Sequence, residues 1–155
     1  MSDLSDILND RAIDADLVAA NKKGLFQQLA GAAARQTGLP AKAIAAGLNA
    51  REKIGSTGFG GGTAIPHSKI EGLQSVFGYF ARLETPVDFH SVDNMPVDLV
   101  FLLLSPPDAG AEHLKALARV SRIFRDAQTV AKLRGARSRD AIYALLAGGE
   151  ARDAA

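Results

Sequence analysis

His67 is the side chain in this sequence best suited to covalent chemistry. A neutral imidazole is a nucleophile near pH 7, and it can form a reactive, transferable bond to a phosphoryl group. His67 ends the run Ala-Ile-Pro-His at positions 64–67, and Pro66 stiffens the backbone immediately before it. A phosphoryl group bound there would bring about two negative charges, so hydrogen-bond donors must surround it.

The segment at 55–62, Gly-Ser-Thr-Gly-Phe-Gly-Gly-Gly, offers such donors. Glycine-rich backbone can direct several N–H groups at one anion, and neighbouring hydroxyls can add to them. The predicted phosphoryl-binding loop comprises Ser56, Thr57, Gly58, Gly60, Gly61 and Gly62. We expect an irregular loop without a strand, because glycine loses more backbone freedom on ordering than any other residue.

Structural interpretations of the same features remain open. On local sequence alone, a histidine that follows proline near a strand is often a hydrogen-bonded structural residue, and glycine runs often mark turns. The glycines lead from a predicted helix into a predicted strand, and no Gly-Lys-Ser/Thr follows them. The segment therefore indicates neither a P-loop nor a dinucleotide-binding turn.

The two other histidines differ in context. His113 lies beside Glu112 near the start of a predicted helix, where the helix dipole favours an anion, so it can donate to a phosphoryl group. A partly buried structural histidine fits this spacing equally well. His90 is predicted to lie on the surface. The separations between the three histidines lack the short ligand spacings of ordinary metal sites, so we predict no bound metal.

The elements that must position these residues are helices at both ends of the chain and strands between them. Asn21 is predicted to cap a helix that stops at Gly38, and Pro40 opens a second helix that ends at Gly55. Strands are predicted at 76–83 and 97–104, the second buried on both faces.

Helical spacing returns from Asp108 onward. The predicted apolar stripe of this helix comprises Leu114, Leu117, Ala118, Ser121 and Phe124. Further helical positions follow at Val130, Leu133, Ile142, Leu145 and Leu146, the last three behind a possible Ser138 cap. The pattern predicts one layered α/β domain with a frayed tail at 148–155.

Composition excludes several classes of function. The 18 Lys and Arg residues nearly balance 17 Asp and Glu residues and are interspersed with them, so no nucleic-acid-binding surface is indicated. Cysteine is absent, which excludes thiolate chemistry and cysteine-based metal sites. The longest apolar run, 99–104, is far shorter than the ~20 residues that a spanning helix needs. We expect a cytoplasmic protein that does not insert into membranes.

Four motifs together resemble the fructose/mannitol-type IIA domain of the bacterial phosphotransferase system, and most of all its nitrogen-regulatory branch. They are Arg-Glu-Lys-Ile-Gly-Ser-Thr-Gly at 51–58, Ala-Ile-Pro-His at 64–67, Pro-Val-Asp-Leu-Val at 96–100 and His-Leu at 113–114. The resemblance runs from about Leu4 to about Leu146. It implies a domain over 1–147 with a mixed central sheet sandwiched between helices, followed by a flexible tail at 148–155.

The resemblance also implies roles for individual residues. His67 would be the phosphoryl acceptor of a phosphotransferase component that forms a phosphohistidine intermediate without a cofactor, and His113 and Arg51 would stabilise the phosphoryl group. For Arg51, an ion pair at the helix end with Glu52 or another carboxylate is the alternative. Phe59, expected at the tip of the glycine loop, would contact the donor protein.

The implied donor is a histidine-phosphocarrier protein of the nitrogen branch. The implied output is regulation of target proteins in nitrogen, carbon or potassium homeostasis, such as potassium-transport components or sensor kinases. Two alternatives remain. One is a IIA subunit of a fructose/mannitol-type sugar transport system that passes its phosphoryl group to a IIB component, and the other is a non-catalytic interaction module.

Overall fold

Residues 4–148, the part of the chain that the computed structural model describes, form six strands and five helices. The strands are β1 (Ile13–Leu17), β2 (Gly58–Gly60), β3 (Thr63–Ala64), β4 (His67–Lys69), β5 (Phe77–Val87) and β6 (Val97–Ser105). The helices are α1 (Lys22–Thr37), α2 (Ala41–Ile54), α3 (Gly110–Arg125), α4 (Ala127–Gly135) and α5 (Arg139–Ala147). Their order along the chain is β1, α1, α2, β2 to β6, α3, α4, α5. The predicted tail lies outside the described residues, apart from Gly148.

Strand β6 is the centre of a mixed sheet. It pairs antiparallel with β5 on one side and parallel with both β3 and β4 on the other. Strand β1 extends the sheet parallel to β5, and β2 closes it antiparallel to β3. Apart from Asp98, every residue of β6 is buried, so both of its faces are covered. The predicted α/β fold in a single domain, with a doubly buried central strand, is confirmed.

The helix ends predicted at Asn21, Gly38 and Gly55 are confirmed, whereas Pro40, predicted in the first turn of α2, lies directly before that helix. The Asn21 side chain accepts a hydrogen bond from the Gly24 N–H at 2.8 Å, and Gly38 ends α1 in the left-handed conformation at φ 78°. Helix α2 ends at Ile54, directly before Gly55. With these boundaries, Lys22 is the first residue of α1, and Arg51 and Glu52 lie in the last turn of α2.

The glycine segment contains a strand, so the prediction of an irregular loop throughout 55–62 was wrong. Gly58 and Gly60 pair with β3, and the turn between the two strands uses positive φ angles of 107°, 63° and 81° at Gly60, Gly61 and Gly62. At Gly58, a Cβ would collide with the Ser91 side chain. Glycine thus permits the left-handed turn and the close approach of the Ser91 side chain to Gly58, and both features are compatible with a hairpin.

Helix α3 is rotated relative to the predicted stripe, of which Phe124 is buried and Leu117 and Ser121 are partly buried. Leu114 is 67% exposed and Ala118 is exposed, whereas the buried side is His113, Ala116, Val120, Ile123 and Phe124. On this side of the helix, the His113 ring is bonded to Ser105 at the end of β6. In α4 and α5, the predicted helical positions Val130, Leu133, Ile142 and Leu146 are buried and Leu145 is partly buried, and Ser138 caps α5 as expected.

Strand β5 runs beyond its predicted end to Val87. Its pairing with β6 shifts register between Arg82 and Val87, and Pro86 lies within that interval. An irregularity of this kind accommodates proline because no ladder hydrogen bond is needed there. Within residues 4–148, no helix is long and apolar enough to cross a membrane.

The α1 cap yields a stability prediction. Replacing Asn21 by Ala removes the acceptor for the Gly24 N–H, and we expect the free energy of unfolding to fall by about 1 kcal/mol. Urea denaturation followed by circular dichroism measures this change. Exposed Lys23→Ala, two residues along, is the matched control and should stay within about 0.5 kcal/mol of the wild type. Equal stability of the two variants would contradict the assigned cap.

Candidate functional site

His67 is the first residue of β4 and lies half-buried beside Leu103 of the central strand. Its Nδ1 is 2.8 Å from the Ile65 carbonyl oxygen, and its Nε2 is 3.2 Å from the Nε of Arg51. A carbonyl oxygen can only accept, so Nδ1 carries the proton. The lone pair of the neutral ring is therefore on Nε2, where it accepts the Arg51 N–H.

The surroundings of His67 favour the neutral ring. Burial lowers its pKa below the ordinary value, and the positive charge of Arg51 acts in the same direction. The hydrogen bond to Ile65 and the charge of Glu52 oppose this shift but do not reverse it. A neutral imidazole with an available Nε2 lone pair is the form that a nucleophile requires.

His113 brings a second imidazole to the site. The ring centroids of His67 and His113 are 5.5 Å apart, and His113 is only 7% exposed. Its Nδ1 is 2.6 Å from the buried Ser105 hydroxyl, which fixes the ring and leaves Nε2 for other partners. Burial lowers the pKa of His113, and the nearby His67 and Lys69 lower it further. Sequence analysis missed Ser105, whose only signal is its place at the end of the apolar run.

Arg51 completes the group around the His67 ring. Its Nη1 donates to the Gly55 carbonyl at 2.9 Å, which holds the guanidinium at the end of α2 while Nε reaches His67. The ion pair considered for Arg51 belongs instead to Glu52, whose carboxylate lies 2.8 Å from the Lys22 ammonium. The structure thus brings together the three residues that the sequence singled out for phosphoryl chemistry.

Four of the donors predicted in the glycine loop are already engaged. The Ser56 hydroxyl donates to the Phe89 carbonyl at 2.8 Å, and the Gly58 N–H donates to the Ser56 oxygen at 3.0 Å. The Thr57 hydroxyl donates to Glu52 at 2.6 Å. Further along, the Gly61 N–H donates to the Asp93 carboxylate at 2.9 Å.

The end of the glycine segment lies apart from the His67 ring. Thr63, which follows Gly62, pairs with Leu99, whereas His67 pairs with Leu103, four residues further along β6. At ~3.3 Å per residue this separation is about 13 Å. The Gly61 carbonyl accepts instead from Arg134, which forms a salt bridge with Asp98, and the Gly62 carbonyl accepts from the backbone N–H groups of Asp98 and Leu99.

Phe59 and His90 lie outside the histidine cluster. Phe59 is part of β2, not of a loop tip, and its ring packs near Phe124 with centroids 6.5 Å apart. Along α3, Phe124 is about 16 Å from His113 at 1.5 Å per residue. His90 is exposed, as predicted, and contacts only the neighbouring Asp88 among the ion pairs of the described residues.

The sequence of the chain matches a known family over nearly its whole length. The profile of the family described as "Phosphoenolpyruvate-dependent sugar phosphotransferase system, EIIA 2" matches residues 6–148. The chain belongs to this family. It is a IIA-type component of the phosphotransferase system, which the four sequence motifs had predicted.

Individual relatives point to the regulatory branch. A nitrogen regulatory protein of Bradyrhizobium diazoefficiens is 49% identical over 144 residues, covering 93% of this chain and 94% of the relative. The crystal structure of the nitrogen regulatory protein IIA-Ntr from Neisseria meningitidis superposes with a TM-score of 0.88 at 35% identity, covering 92% of this chain and 98% of that one.

The fold is shared more widely. Enzyme IIAMTL of Escherichia coli, solved in complex with phosphorylated enzyme IIBMTL, superposes with a TM-score of 0.78 at 18% identity. The match covers 92% of this chain and 99% of that one.

The contact between Arg51 and His67 yields a titration prediction. In the wild type, the midpoint of the His67 ring titration, followed by NMR, should lie below the ordinary histidine pKa of about 6.5. Arg51→Met removes the positive charge but keeps an unbranched apolar chain, so the midpoint should rise while burial still holds it below the ordinary value.

The control is Lys53→Met, which removes a neighbouring exposed cation from the same helix end and should leave the midpoint nearly unchanged. A wild-type midpoint at or above the ordinary value, or equal midpoints in both variants, would contradict the described geometry.

Proposed function

We propose that this chain is a regulatory phosphoryl carrier whose His67 accepts a phosphoryl group on Nε2 from a histidine-phosphocarrier protein of the nitrogen branch. The observation that carries the proposal is the orientation of the His67 ring. Its Nδ1–H is bonded to the Ile65 carbonyl, and its Nε2 lone pair lies beside Arg51 and His113. The ring therefore presents one defined nucleophilic atom among cationic and N–H donors.

The transfer is a displacement at phosphorus. The Nε2 lone pair of His67 forms the new N–P bond while the N–P bond of the donor phosphohistidine breaks, and its electron pair returns to the donor nitrogen. The Nδ1 proton stays on its ring, bonded to Ile65. Positioning and charge stabilisation supply most of the catalysis in such a step.

Arg51 and His113 have the chemistry to stabilise the transferred group. When phosphorus occupies Nε2, the Arg51 N–H that now points there must turn to a phosphoryl oxygen, and a guanidinium has further donors for the others. If the Ser105 hydroxyl donates to Nδ1 of His113, the proton of that neutral ring is on Nε2, which makes His113 an N–H donor.

The Ser56–Gly58 turn has a supporting part in this proposal. Its hydroxyls and the Gly58 amide are bonded within the protein, and the Thr57 carbonyl accepts from the Ile65 N–H, so the turn holds the start of the 65–67 segment in place. The nearest hydrogen-bond donors to a phosphoryl group on His67 are then the side chains of Arg51 and His113.

Regulation follows from the charge on the acceptor. Phosphorylation adds about two negative charges at one half-buried position, which is enough to create or abolish a contact with a target protein. The names of the relatives as nitrogen regulatory proteins favour this role over sugar transport. Potassium-transport components and sensor kinases are the classes of target that we propose.

Histidine substitutions test the acceptor. With phosphoenolpyruvate, the nitrogen-branch enzyme I homologue and its phosphocarrier protein, we expect the wild type to gain an acid-labile phosphoryl group that mass spectrometry maps to residue 67. His67→Ala should abolish labelling. His113→Ala should slow it by about 10- to 100-fold because one stabilising donor is lost, while the acceptor remains.

His90→Ala is the matched control, since that ring is exposed and away from the cluster, and it should label like the wild type. Normal labelling of His67→Ala would end the site assignment. Rapid transfer of the phosphoryl group to a fructose or mannitol IIB domain would favour the sugar-transport alternative. Absence of labelling in the wild type would favour the non-catalytic interaction module.

Two exposed apolar side chains lie close in sequence to Arg51 and His113, and we expect them to contact the donor. Ile54, three residues after Arg51, is 82% exposed, and Leu114, next to His113, is 67% exposed. Exposed apolar groups at a rim commonly mark a docking surface. Ile54→Ser and Leu114→Ser should each weaken donor binding by about 10-fold, measured by calorimetry with a donor that lacks its own acceptor histidine.

Neither change removes a buried contact, so the free energy of unfolding should stay nearly constant. Val18→Ser is the control, because Val18 is a similarly exposed residue after β1, at the opposite edge of the sheet. Unchanged donor affinity in both rim variants would place the docking surface elsewhere.

A further inference from the structure

Both ring nitrogens of His67 are linked to the last turn of α2. Nε2 accepts directly from Arg51. Nδ1–H donates to the Ile65 carbonyl, and the N–H of the same Ile65 donates to the Thr57 carbonyl at 3.0 Å. The position of the Nδ1 acceptor therefore depends on where Thr57 is held.

Glu52 holds Thr57 by two hydrogen bonds. The Thr57 N–H donates to Oε2 at 2.9 Å, and the Thr57 hydroxyl donates to Oε1 at 2.6 Å. Thr57 is buried, so these bonds form away from bulk water, where loss of either acceptor would leave a donor unsatisfied. Adjacent residues, Arg51 and Glu52, thus control opposite sides of the same imidazole.

Lys22 fixes the carboxylate in turn. Its ammonium is 2.8 Å from Oε2 of Glu52, donates to the Phe89 carbonyl at 2.9 Å and lies 4.8 Å from the centre of the Phe89 ring. Burial of Glu52 opposes its ionisation, but the hydrogen bonds from Lys22 and Thr57 outweigh that effect and keep its pKa below the ordinary value. The carboxylate is therefore anionic and accepts from three donors at once.

We propose that Glu52, paired with Lys22, is a positioning residue for phosphoryl acceptance: through Thr57 and Ile65 it maintains the orientation and the Nδ1–H tautomer of His67. The proposal rests on the function proposed for His67 and adds the group that prepares its ring. Glu52 acts on His67 through two intervening residues, Thr57 and Ile65, and needs no contact with the phosphoryl group.

The Glu52 carboxylate suits this set of partners. The Lys22 ammonium and the Thr57 N–H can only donate, and both lie on Oε2, while Oε1 accepts from the Thr57 hydroxyl. In Glu52→Gln the shape is kept and the amide oxygen still accepts from Lys22 and the Thr57 N–H, but the NH₂ group faces the Thr57 hydroxyl, which must turn from donor to acceptor. Lys22 also loses its counter-charge, so Thr57 is held less firmly and Ile65 with its carbonyl is free to shift.

The tautomer of His67 gives a direct test. We expect ¹⁵N NMR of the wild-type ring at a pH where it is neutral to show the proton mainly on Nδ1, and that of Glu52→Gln to show a mixture of both tautomers. In single-turnover experiments with phosphorylated donor, the transfer rate constant should fall by about 10- to 100-fold. The affinity for a donor without its acceptor histidine should stay within twofold.

Matched variants separate positioning from loss of folding. Glu84→Gln makes the same change at an exposed site on β5 and should leave tautomer and rate unchanged. Lys22→Met keeps the Glu52 and Thr57 side chains but removes the cation that fixes the carboxylate. It should therefore change the tautomer ratio and the transfer rate in the same direction as Glu52→Gln. It provides a second route to the same result if Glu52→Gln is poorly folded.

The inference is overturned if folded Glu52→Gln and Lys22→Met both keep the wild-type tautomer and a transfer rate within twofold of the wild type. It is also overturned if weaker donor binding accounts for the whole loss of rate. Because the tautomer measurement needs no phosphorylation, it decides the role of Glu52 even if the wild type proves not to be labelled, which would count against the proposed function alone.

Discussion

The hydrogen bond from Nδ1 of His67 to the Ile65 carbonyl is the constraint on which the site depends. It decides which ring nitrogen carries the proton, and hence which one keeps a lone pair. Without it, the two tautomers of a half-buried imidazole would compete, and Arg51 would face a protonated nitrogen for part of the time. The placement of Arg51 and the neighbouring His113 has chemical meaning only because this bond has already oriented the ring.

That bond is built into the sheet. Ile65 lies between β3 and β4, both of which pair in parallel with β6, the central strand of the sheet. Even the buried partner of His113, Ser105, is the last residue of β6. Two imidazoles from distant parts of the sequence thus meet because both are attached to the same end of one strand.

The sequence predicted the parts of this arrangement that local patterns encode. Asn21 and Gly38 mark helix ends by their own backbone and side-chain chemistry, and the apolar run of β6 could only be a buried strand. The proximity of His67, His113 and Arg51 was an implication of family resemblance, because no periodicity links residues so far apart. Glu52 was considered only as a partner for Arg51, since nothing local shows that Lys22 reaches it.

The errors of prediction have a common physical origin. Glycine content argued against a strand at 58–60, and apolar spacing placed Leu114 on the inner face of α3, yet tertiary contacts reversed both. A hairpin needs left-handed turn residues and, at Gly58, space for Ser91. The buried hydrogen bond between His113 and Ser105 lies on the inner face of α3, and a binary pattern of apolar and polar residues cannot anticipate such a polar contact.

In the proposed function, the location of His67 at the start of a strand, and not on a free loop, limits the kind of signal that its phosphorylation can send. Its backbone is secured to the interior through Leu103, so gaining or losing a phosphoryl group leaves little scope for a large rearrangement around it. A target that distinguishes the two forms must then sense the local electrostatic potential on a nearly constant molecular shape. Such discrimination is inherently sensitive to the ionic strength of the surrounding medium.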